Sequence, residues 1–239
     1  MRDDDSTVQV DDRARKIFKG VFDEGTLLTM YRLGRRLQLT AFSGVLKSGK
    51  ESSVVHAEPH CAVKVYAIGA SAFNRFRKYI QGDERFRRVK PDRRGITFAW
   101  CQKEFRNLHI AHAAGVRCPK PLGFMANVLA MEFIGEGTTP APRLADAAPA
   151  DPAAVIRAIV DGMVKLHRSN LVHGDLSPYN ILLHDEQPVF IDFSQGVLRS
   201  HPLANELLQR DVRNIAAYAE KAGIALTAED IHQRLSVPS

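Results

Sequence analysis

The segment HGDLSPYN, residues 173–180, and the segment VFIDFS, residues 189–194, decide how the chain is interpreted. An Asp, an amide five residues later and a second Asp twelve residues beyond it form a recurring arrangement for phosphoryl transfer. Asp175 can accept the proton of an attacking hydroxyl. Asn180 and Asp192 offer hard oxygen ligands, which Mg²⁺ or Mn²⁺ prefers. The spacing therefore predicts a phosphotransferase site.

A second signal lies upstream, where Lys64 stands in the otherwise apolar segment AVKV. A buried ammonium group is costly unless an anion faces it. The natural partners are nucleotide phosphates and a carboxylate, and Glu104, in the segment QKEFRNL, is the candidate for that carboxylate. Lys64 and Glu104 are therefore predicted to bind the nucleotide.

A turn precedes the Lys64 segment. The spacing of Gly44, Gly49 and Lys50 is like that of a Walker loop, but Glu51 stands where Ser or Thr would bind magnesium. The residues that follow also favour a strand, whereas a Walker loop opens a helix. A hairpin turn is predicted instead, and its backbone N–H groups and lysine can meet phosphates. The predicted contact residues are Ser48, Gly49, Lys50, Glu51 and Ser52.

Strand patterns dominate the first half of the chain and helical patterns the second. This distribution predicts an α+β fold with two unlike lobes. The predicted domains are an acidic tail and helical extension over 1–40, an N-terminal lobe over 41–133 with a basic flexible insertion at 67–98, and a C-terminal lobe over 134–239. The predicted helices cover 12–39, 100–113, 153–168, 202–222 and 228–235; the predicted strands cover 42–46, 52–57, 61–66, 122–125, 128–133, 181–183 and 189–191.

Two features that common protein kinases possess are missing from the sequence. Gly174 stands where such kinases carry an Arg that pairs with a phosphorylated activation loop. The chain after Asp192 is short and holds no A-P-E segment. These absences predict a truncated C-terminal lobe and argue against a long extended peptide as substrate.

The net charge of +6 lies in one stretch. Residues 74–94 hold nine Lys and Arg against three Asp and Glu, with aromatic residues between them. Such a stretch suits phosphate backbones or another acidic partner. The three widely separated cysteines favour a reducing compartment over a disulfide framework or a zinc site. No secretory signal or apolar span is recognisable, so a cytoplasmic location is expected.

From about Phe42 to Ala217 the chain resembles the RIO family of atypical serine protein kinases. It is most similar to the first subfamily, which lacks a winged helix, in its archaeal or bacterial form. The resemblance is carried by the motifs SGKE at 48–51, AVKVY at 62–66, GDERFR at 82–87, KEFRNL at 103–108, MEFIG at 131–135, PAP at 140–142, LVHGDLSPYN at 171–180 and IDFSQ at 191–195.

The resemblance implies a two-lobed kinase fold that binds ATP with Mg²⁺ or Mn²⁺. It implies Asp175 as the proton acceptor, and Glu132 and Ile134 as the hinge facing adenine. In this family the metal-binding Asp, here Asp192, is also proposed to take the phosphoryl group as an aspartyl-phosphate during ATP hydrolysis. Members autophosphorylate on Ser and act in maturation of the small ribosomal subunit. Segment 74–94 is accordingly expected to meet rRNA or a ribosomal precursor.

Two other functions remain open. A small-molecule phosphotransferase of the aminoglycoside or choline kinase kind shares the H-G-D-x-x-x-x-N motif and the following I-D, although the 48–52 turn and the basic segment disfavour it. A non-catalytic ribosome- or RNA-binding scaffold would keep the shape of a kinase without its chemistry. The complete polar set argues against a scaffold, because a site without catalytic work has no need of costly buried charges.

Overall fold

The computed structural model describes residues 9, 10, 18 and 20–237. The acidic tail predicted over 1–12 lies outside these residues, apart from the two-residue strand β1 (Gln9–Val10). The chain divides into two compact units. One comprises Met1–Ile80, Arg88–Phe105 and Pro121–Phe133; the other comprises Gln81–Arg87, Arg106–Lys120 and Ile134–Ser239. The domain limits expected from the sequence stay a prediction.

The first unit is built on a six-stranded sheet in the order β1-β2-β3-β4-β6-β5. Its ladders are antiparallel except for the β1–β2 pair. Short loops connect β2 to β3, β3 to β4 and β5 to β6, which is why antiparallel pairing is accessible to these pairs. The remaining strands are β2 (Ala41–Ser48), β3 (Ser52–Glu58), β4 (Cys61–Tyr66), β5 (Pro121–Met125) and β6 (Val128–Glu132).

Helix α1 (Glu24–Arg36) packs on this sheet. Its N-cap Asp23 accepts hydrogen bonds from the backbone N–H and the hydroxyl of Thr26, at 3.0 and 2.7 Å. Such a cap satisfies donors that the first helical turn leaves without partners. Met30 and Leu33 then join sheet residues such as Val55 in a buried cluster. The burial of this apolar surface holds the helix against the strands.

Two further helices follow β4, and here the sequence interpretation needs correction. Helix α2 (Ala70–Ile80) falls in the segment predicted as a basic flexible insertion, and helix α3 (Arg93–Ala113) begins seven residues before the predicted start at Trp100. The backbone N–H of Gly95 donates to the Asp92 carboxylate at 2.6 Å, which caps the early start. The mobility of the segment stays a prediction.

The aromatic residues of the basic segment point inward. Phe76 stacks on Trp100 with ring centroids 4.3 Å apart, and Tyr79 packs on the same indole at 5.4 Å. Phe86 is buried as well. Arg77 and Lys78 lie between Phe76 and Tyr79 and hide their three-residue spacing, so the sequence suggests a charged loop where the chain forms a helix.

The second unit is mainly helical. Asp151 caps α4 (Pro152–Arg168), and Thr227 and Asp230 form a capping box for α6 (Ala228–Ser236). Helix α5 (Ala204–Lys221) packs against α6. The short strands pair as hairpins or ladders: β7 (Gly135–Glu136) with β8 (Thr139–Pro140), β9 (Leu171–Val172) with β12 (Val197–Leu198), and β10 (Ile181–His184) with β11 (Gln187–Phe190). The predicted α+β class is confirmed.

Two predictions about environment can be compared with the structure. None of the helices in the described part of the chain has the length and apolar character that a membrane span requires. Cys61, Cys101 and Cys118 are buried, and none of the three forms a disulfide. Burial raises the pKa of the Cys61 thiol to about 12, and it raises the pKa of Cys101 further. The Cys61 and Cys101 thiols are consequently protonated at neutral pH.

Candidate active site

The loop of residues 173–180, called the Asp175 loop below, lies between β9 and β10 and presents Asp175. The side-chain amide of Asn180 donates to the Asp175 backbone carbonyl at 2.8 Å and to its carboxylate Oδ2 at 3.0 Å. The Gln195 amide donates to the same Oδ2 at 3.0 Å. The Arg210 guanidinium lies 3.6 Å from Oδ1. Asp175 is therefore oriented from several directions, and its side chain keeps 39% of its surface accessible.

The β10–β11 hairpin brings Asn180 and Asp192 to the same end of the second unit. Ile181 pairs with Phe190, and one step further the Ile191 N–H donates to the Asn180 carbonyl at 3.0 Å. Asp192 follows with φ 62° and ψ 63°, a left-handed conformation that is uncommon outside glycine. It opens the Asp192 loop, residues 192–196.

The donor set at this end suits a hard divalent cation. Because the side-chain nitrogen of Asn180 already donates to Asp175, the side-chain oxygen of Asn180 is the atom that can bind a metal. The Asp192 carboxylate supplies charged oxygens, one of which accepts from the Ser194 hydroxyl at 2.6 Å. No cluster of three or more His, Cys, Asp or Glu ligands occurs within residues 20–237. One carboxylate and one amide fit Mg²⁺, which usually completes its shell with phosphates and water.

The Asp175 loop is supported by Asp211 in α5, which the sequence interpretation missed. Its carboxylate accepts hydrogen bonds from the Gly174 N–H at 2.7 Å and the Leu176 N–H at 2.8 Å. Asp211 is 2% exposed. It stands between Leu207 and Ile215 on the buried stripe of its helix. An Asp on an apolar stripe was the available signal, since a buried carboxylate needs donors.

Gly174 occupies the position of the Arg that common kinases carry before the catalytic Asp, and Arg210 brings a positive charge to the same place. Gly174 has φ +78°, and a Cβ there would lie 2.8 Å from the Gln195 carbonyl oxygen, so only glycine fits. Arg210 reaches this place from α5 and donates to the Gly174 carbonyl. It also donates to the Gln195 side-chain oxygen at 3.1 Å. A positive charge therefore stands beside Asp175 although the residue before it has no side chain.

Replacing Asp211 by Asn should change the pH dependence of stability. Burial raises the pKa of Asp211 from 3.8 to about 7, against the opposing effect of its two backbone hydrogen bonds. Between these values the folded state holds a proton that the unfolded state has released, so the stability that Asp211 contributes falls as pH rises from about 4 to about 7. Between pH 4.5 and pH 7.5, the free energy of unfolding measured in urea should fall in wild type by on the order of 3 kcal/mol more than it does in Asp211→Asn. A pH-independent difference would contradict this assignment.

The first unit contains the predicted ion pair. The Lys64 ammonium of β4 lies 3.0 Å from the Glu104 carboxylate of α3, and the two side chains are 6% and 1% exposed. The Lys64 ammonium also lies 5.2 Å from the centre of the Tyr66 ring. Attraction in such a buried place offsets the cost of removing both charges from water.

The other predicted nucleotide contacts occupy turns and strand ends. Ser48, Gly49, Lys50, Glu51 and Ser52 form the tip of the β2–β3 hairpin, where the Gly49 N–H donates to the Ser52 carbonyl at 3.0 Å. Arg75 of α2 pairs with Glu51 at 2.8 Å. Glu132 ends β6 and is exposed, whereas Ile134 opens the last segment of the second unit.

Comparison with known proteins defines first the fold and then the family. The Rio2 kinase of Chaetomium thermophilum superposes with a TM-score of 0.64 over 90% of this chain and 69% of that chain, at 22% identity. A second structure, its ADP/Mg²⁺-phosphoaspartate complex, gives 0.63 over 94% of this chain and 75% of that one, at 18% identity. The fold is therefore a protein-kinase-like α+β fold of the kind seen in Rio2.

Sequence relatives are closer. The RIO domain family model matches residues 42–232. The RIO-type serine/threonine-protein kinase Rio1 of Haloferax volcanii is 39% identical over 91% of this chain and 77% of its own length. The corresponding Rio1 protein of Methanocaldococcus jannaschii is 42% identical over 90% and 76%. The chain belongs to the RIO family of atypical serine/threonine protein kinases, as its motifs predict.

Proposed function

We propose that the chain transfers the γ-phosphoryl group of ATP to a Ser hydroxyl, including Ser residues of its own. The observation that carries this proposal is the orientation of the Asp175 carboxylate by Asn180 and Gln195. A carboxylate held in this way can accept the proton of the attacking hydroxyl. Positioning of this kind supplies most of the catalysis in phosphoryl transfer.

We propose that the nucleotide is bound by residues of the first unit and by Ile134. The Lys64 ammonium, held by Glu104, is the proposed partner of the ATP phosphates. The tip of the β2–β3 hairpin offers backbone N–H groups and the exposed Lys50 to the same phosphates. Glu132 and Ile134 are the proposed hinge positions that face adenine, on the resemblance of the motif MEFIG to the family.

Asn180 and Asp192 are the proposed ligands of Mg²⁺ or Mn²⁺. A divalent ion at this place would neutralise the charge of the phosphates and orient them. The Asp192 backbone conformation and the Ser194 hydroxyl fix the direction of the carboxylate before any ligand arrives.

Asp192 is also the proposed acceptor of the phosphoryl group during ATP hydrolysis. A carboxylate oxygen would attack the γ-phosphorus, the bond to the bridging oxygen of ADP would break, and water would later hydrolyse the acyl phosphate. A structural neighbour, the Rio2 kinase of Chaetomium thermophilum, has been solved as an ADP/Mg²⁺-phosphoaspartate complex. We extend that chemistry to Asp192 as a proposal.

The basic segment 74–94 is the proposed contact with rRNA or a precursor of the small ribosomal subunit, in the cytoplasm. Eight of its nine basic side chains are exposed, and Arg85 is the exception. Exposed cations in this number attract a phosphate backbone through long-range electrostatics. The exposed members are Arg75, Arg77, Lys78, Arg87, Arg88, Lys90, Arg93 and Arg94.

Incubation with γ-labelled ATP and Mg²⁺ or Mn²⁺ tests the enzymatic proposal. We expect label on Ser of the protein together with ATP hydrolysis, and loss of both in Asp192→Asn. Faster transfer to aminoglycosides or choline than to protein would support a small-molecule phosphotransferase instead. Absence of label and hydrolysis, combined with RNA binding that Arg87→Ala and Arg88→Ala abolish, would support a non-catalytic scaffold.

A further inference from the structure

The motif GDERFR, residues 82–87, is packed into the second unit by its glycine and its aromatic ring. Gly82 has φ +94°, and a Cβ there would come within 3.1 Å of the Pro202 side chain. The ring nitrogen Nε2 of His201 donates to the Gln81 carbonyl at 3.2 Å. Phe86 is buried. These contacts anchor the motif in the second unit, whereas the basic residues on either side of it are exposed.

Within this motif, Asp83 and Arg85 form a nearly buried ion pair. Arg85 donates from Nε and Nη2 to the two oxygens of Asp83, at 2.9 and 2.7 Å. The side chains are 15% and 1% exposed. This bidentate geometry fixes the plane of the guanidinium. Its third nitrogen, Nη1, is aimed at Asn107 of α3 and donates to the Asn107 side-chain oxygen at 2.9 Å.

Asn107, oriented by Arg85, is hydrogen-bonded in turn to the Asp192 loop. Its side-chain nitrogen donates to the Phe193 carbonyl at 2.9 Å and to the Gly196 carbonyl at 2.7 Å. Asn107 is fully buried, and every hydrogen-bonding atom of its amide has a partner. Because Arg85 can only donate, it decides which end of the amide faces the loop. The fit is close, since a Cβ on Gly196 would lie 2.9 Å from the Asn107 nitrogen.

We propose that Asp83, Arg85 and Asn107 form a positioning relay that sets the backbone of the Asp192 loop. The loop begins with the proposed metal ligand Asp192 and includes Gln195, which donates to Asp175. Clamping of the Phe193 and Gly196 carbonyls thus fixes both the metal ligand and a partner of the proton acceptor. The role toward metal rests on the proposed function, whereas the role toward the loop does not.

Amide hydrogen exchange of the ligand-free protein tests the relay. In a peptide covering residues 190–198, Asn107→Ala and Arg85→Met should exchange about fivefold faster than wild type, because the loop carbonyls lose an oriented donor. Arg87→Met is the matched control: it removes the same charge from the same segment, but Arg87 is exposed and its ion pair with Glu84, at 2.7 Å, lies on the surface. Unchanged exchange in Asn107→Ala, or equal effects of Arg85→Met and Arg87→Met, would overturn the relay.

Asp83→Asn is a milder variant, because it keeps the shape of the side chain and removes only its charge. It should raise exchange in the 190–198 peptide while peptides from α5 and α6 exchange at wild-type rates. An increase spread equally over all peptides in both Asp83→Asn and Arg85→Met would show general loosening and would reject a relay directed at the loop.

Binding of Mn²⁺, followed by electron paramagnetic resonance in the presence of ADP, separates the relay from the proposed function. Arg85→Met should weaken Mn²⁺ binding by about 10-fold, as loss of an outer support of a metal ligand does, while Arg87→Met binds as wild type does. Wild-type affinity in Arg85→Met, with affinity lost in Asp192→Asn, would overturn the relay toward metal. Wild-type affinity in Asp192→Asn would reject the proposed metal role, and the exchange experiment would still decide the relay.

Discussion

Asp175→Asn is expected to lower ATP-dependent labelling of the protein by about 10³-fold, the middle of the range for a lost general base. The amide keeps the size of the side chain but cannot accept the proton of the attacking hydroxyl. It also presents a nitrogen to one of the donors that now surround the carboxylate, namely Asn180, Gln195 and Arg210. The effect should therefore appear in the rate at saturating ATP more than in the affinity for ATP.

The matched control for this change is Asp161→Asn on α4. Asp161 is exposed and forms a long ion pair with Arg234, at 3.8 Å. Exposed pairs of this kind contribute little to stability. Rapid-quench labelling of the two variants and wild type gives the comparison. Labelling by Asp175→Asn within twofold of wild type would remove Asp175 from the role of proton acceptor.

The second large effect is expected at Lys64 and Glu104. Removing one partner of a buried pair leaves the other charge in a place with little water, and this typically costs about 3–5 kcal/mol. Lys64→Met and Glu104→Leu should each lower the free energy of unfolding by that amount. The double variant should recover most of the loss, because apolar residues can replace a buried pair at little cost.

The double variant separates folding from function. If Lys64 meets the ATP phosphates, Lys64→Met/Glu104→Leu will be nearly as stable as wild type in urea unfolding and yet defective in ATP-dependent labelling by at least about 100-fold. A stable double variant with wild-type labelling would show that the pair is purely structural. A double variant whose loss of stability equals the sum of the two single losses would show that the two residues are not coupled.

The sequence predicts best those features in which local pattern and chemistry coincide. The apolar run around Lys64 and the lone lysine within it lead together to β4 and its ion pair with Glu104. The family match at 42–232 agrees with the resemblance in the motifs. The roles of the individual site residues stay predictions until the experiments above are done.

The features that the sequence interpretation missed depend on contacts between distant residues. Asp211 accepts a hydrogen bond from the N–H of Leu176, which is 35 positions away in the sequence. Asn107 donates a hydrogen bond to the carbonyl of Phe193, which is 86 positions away. The apolar stripe around Asp211 indicates that this carboxylate is buried, but the local sequence of a helix does not identify the distant group to which it is hydrogen-bonded. Helix α2 was missed for a local reason, since the charges of Arg75, Arg77 and Lys78 interrupt its apolar residues.

The inward orientation of Phe76, Tyr79 and Phe86 limits what segment 74–94 could discriminate. A single-stranded nucleic acid that reached these residues would meet guanidinium and ammonium groups, while all three rings of the segment, which could have stacked on its bases, are buried in the protein interior. Recognition would then follow the spacing of phosphates and not the order of bases, and added salt would weaken it steeply. Discrimination among RNA sequences would then require residues outside segment 74–94.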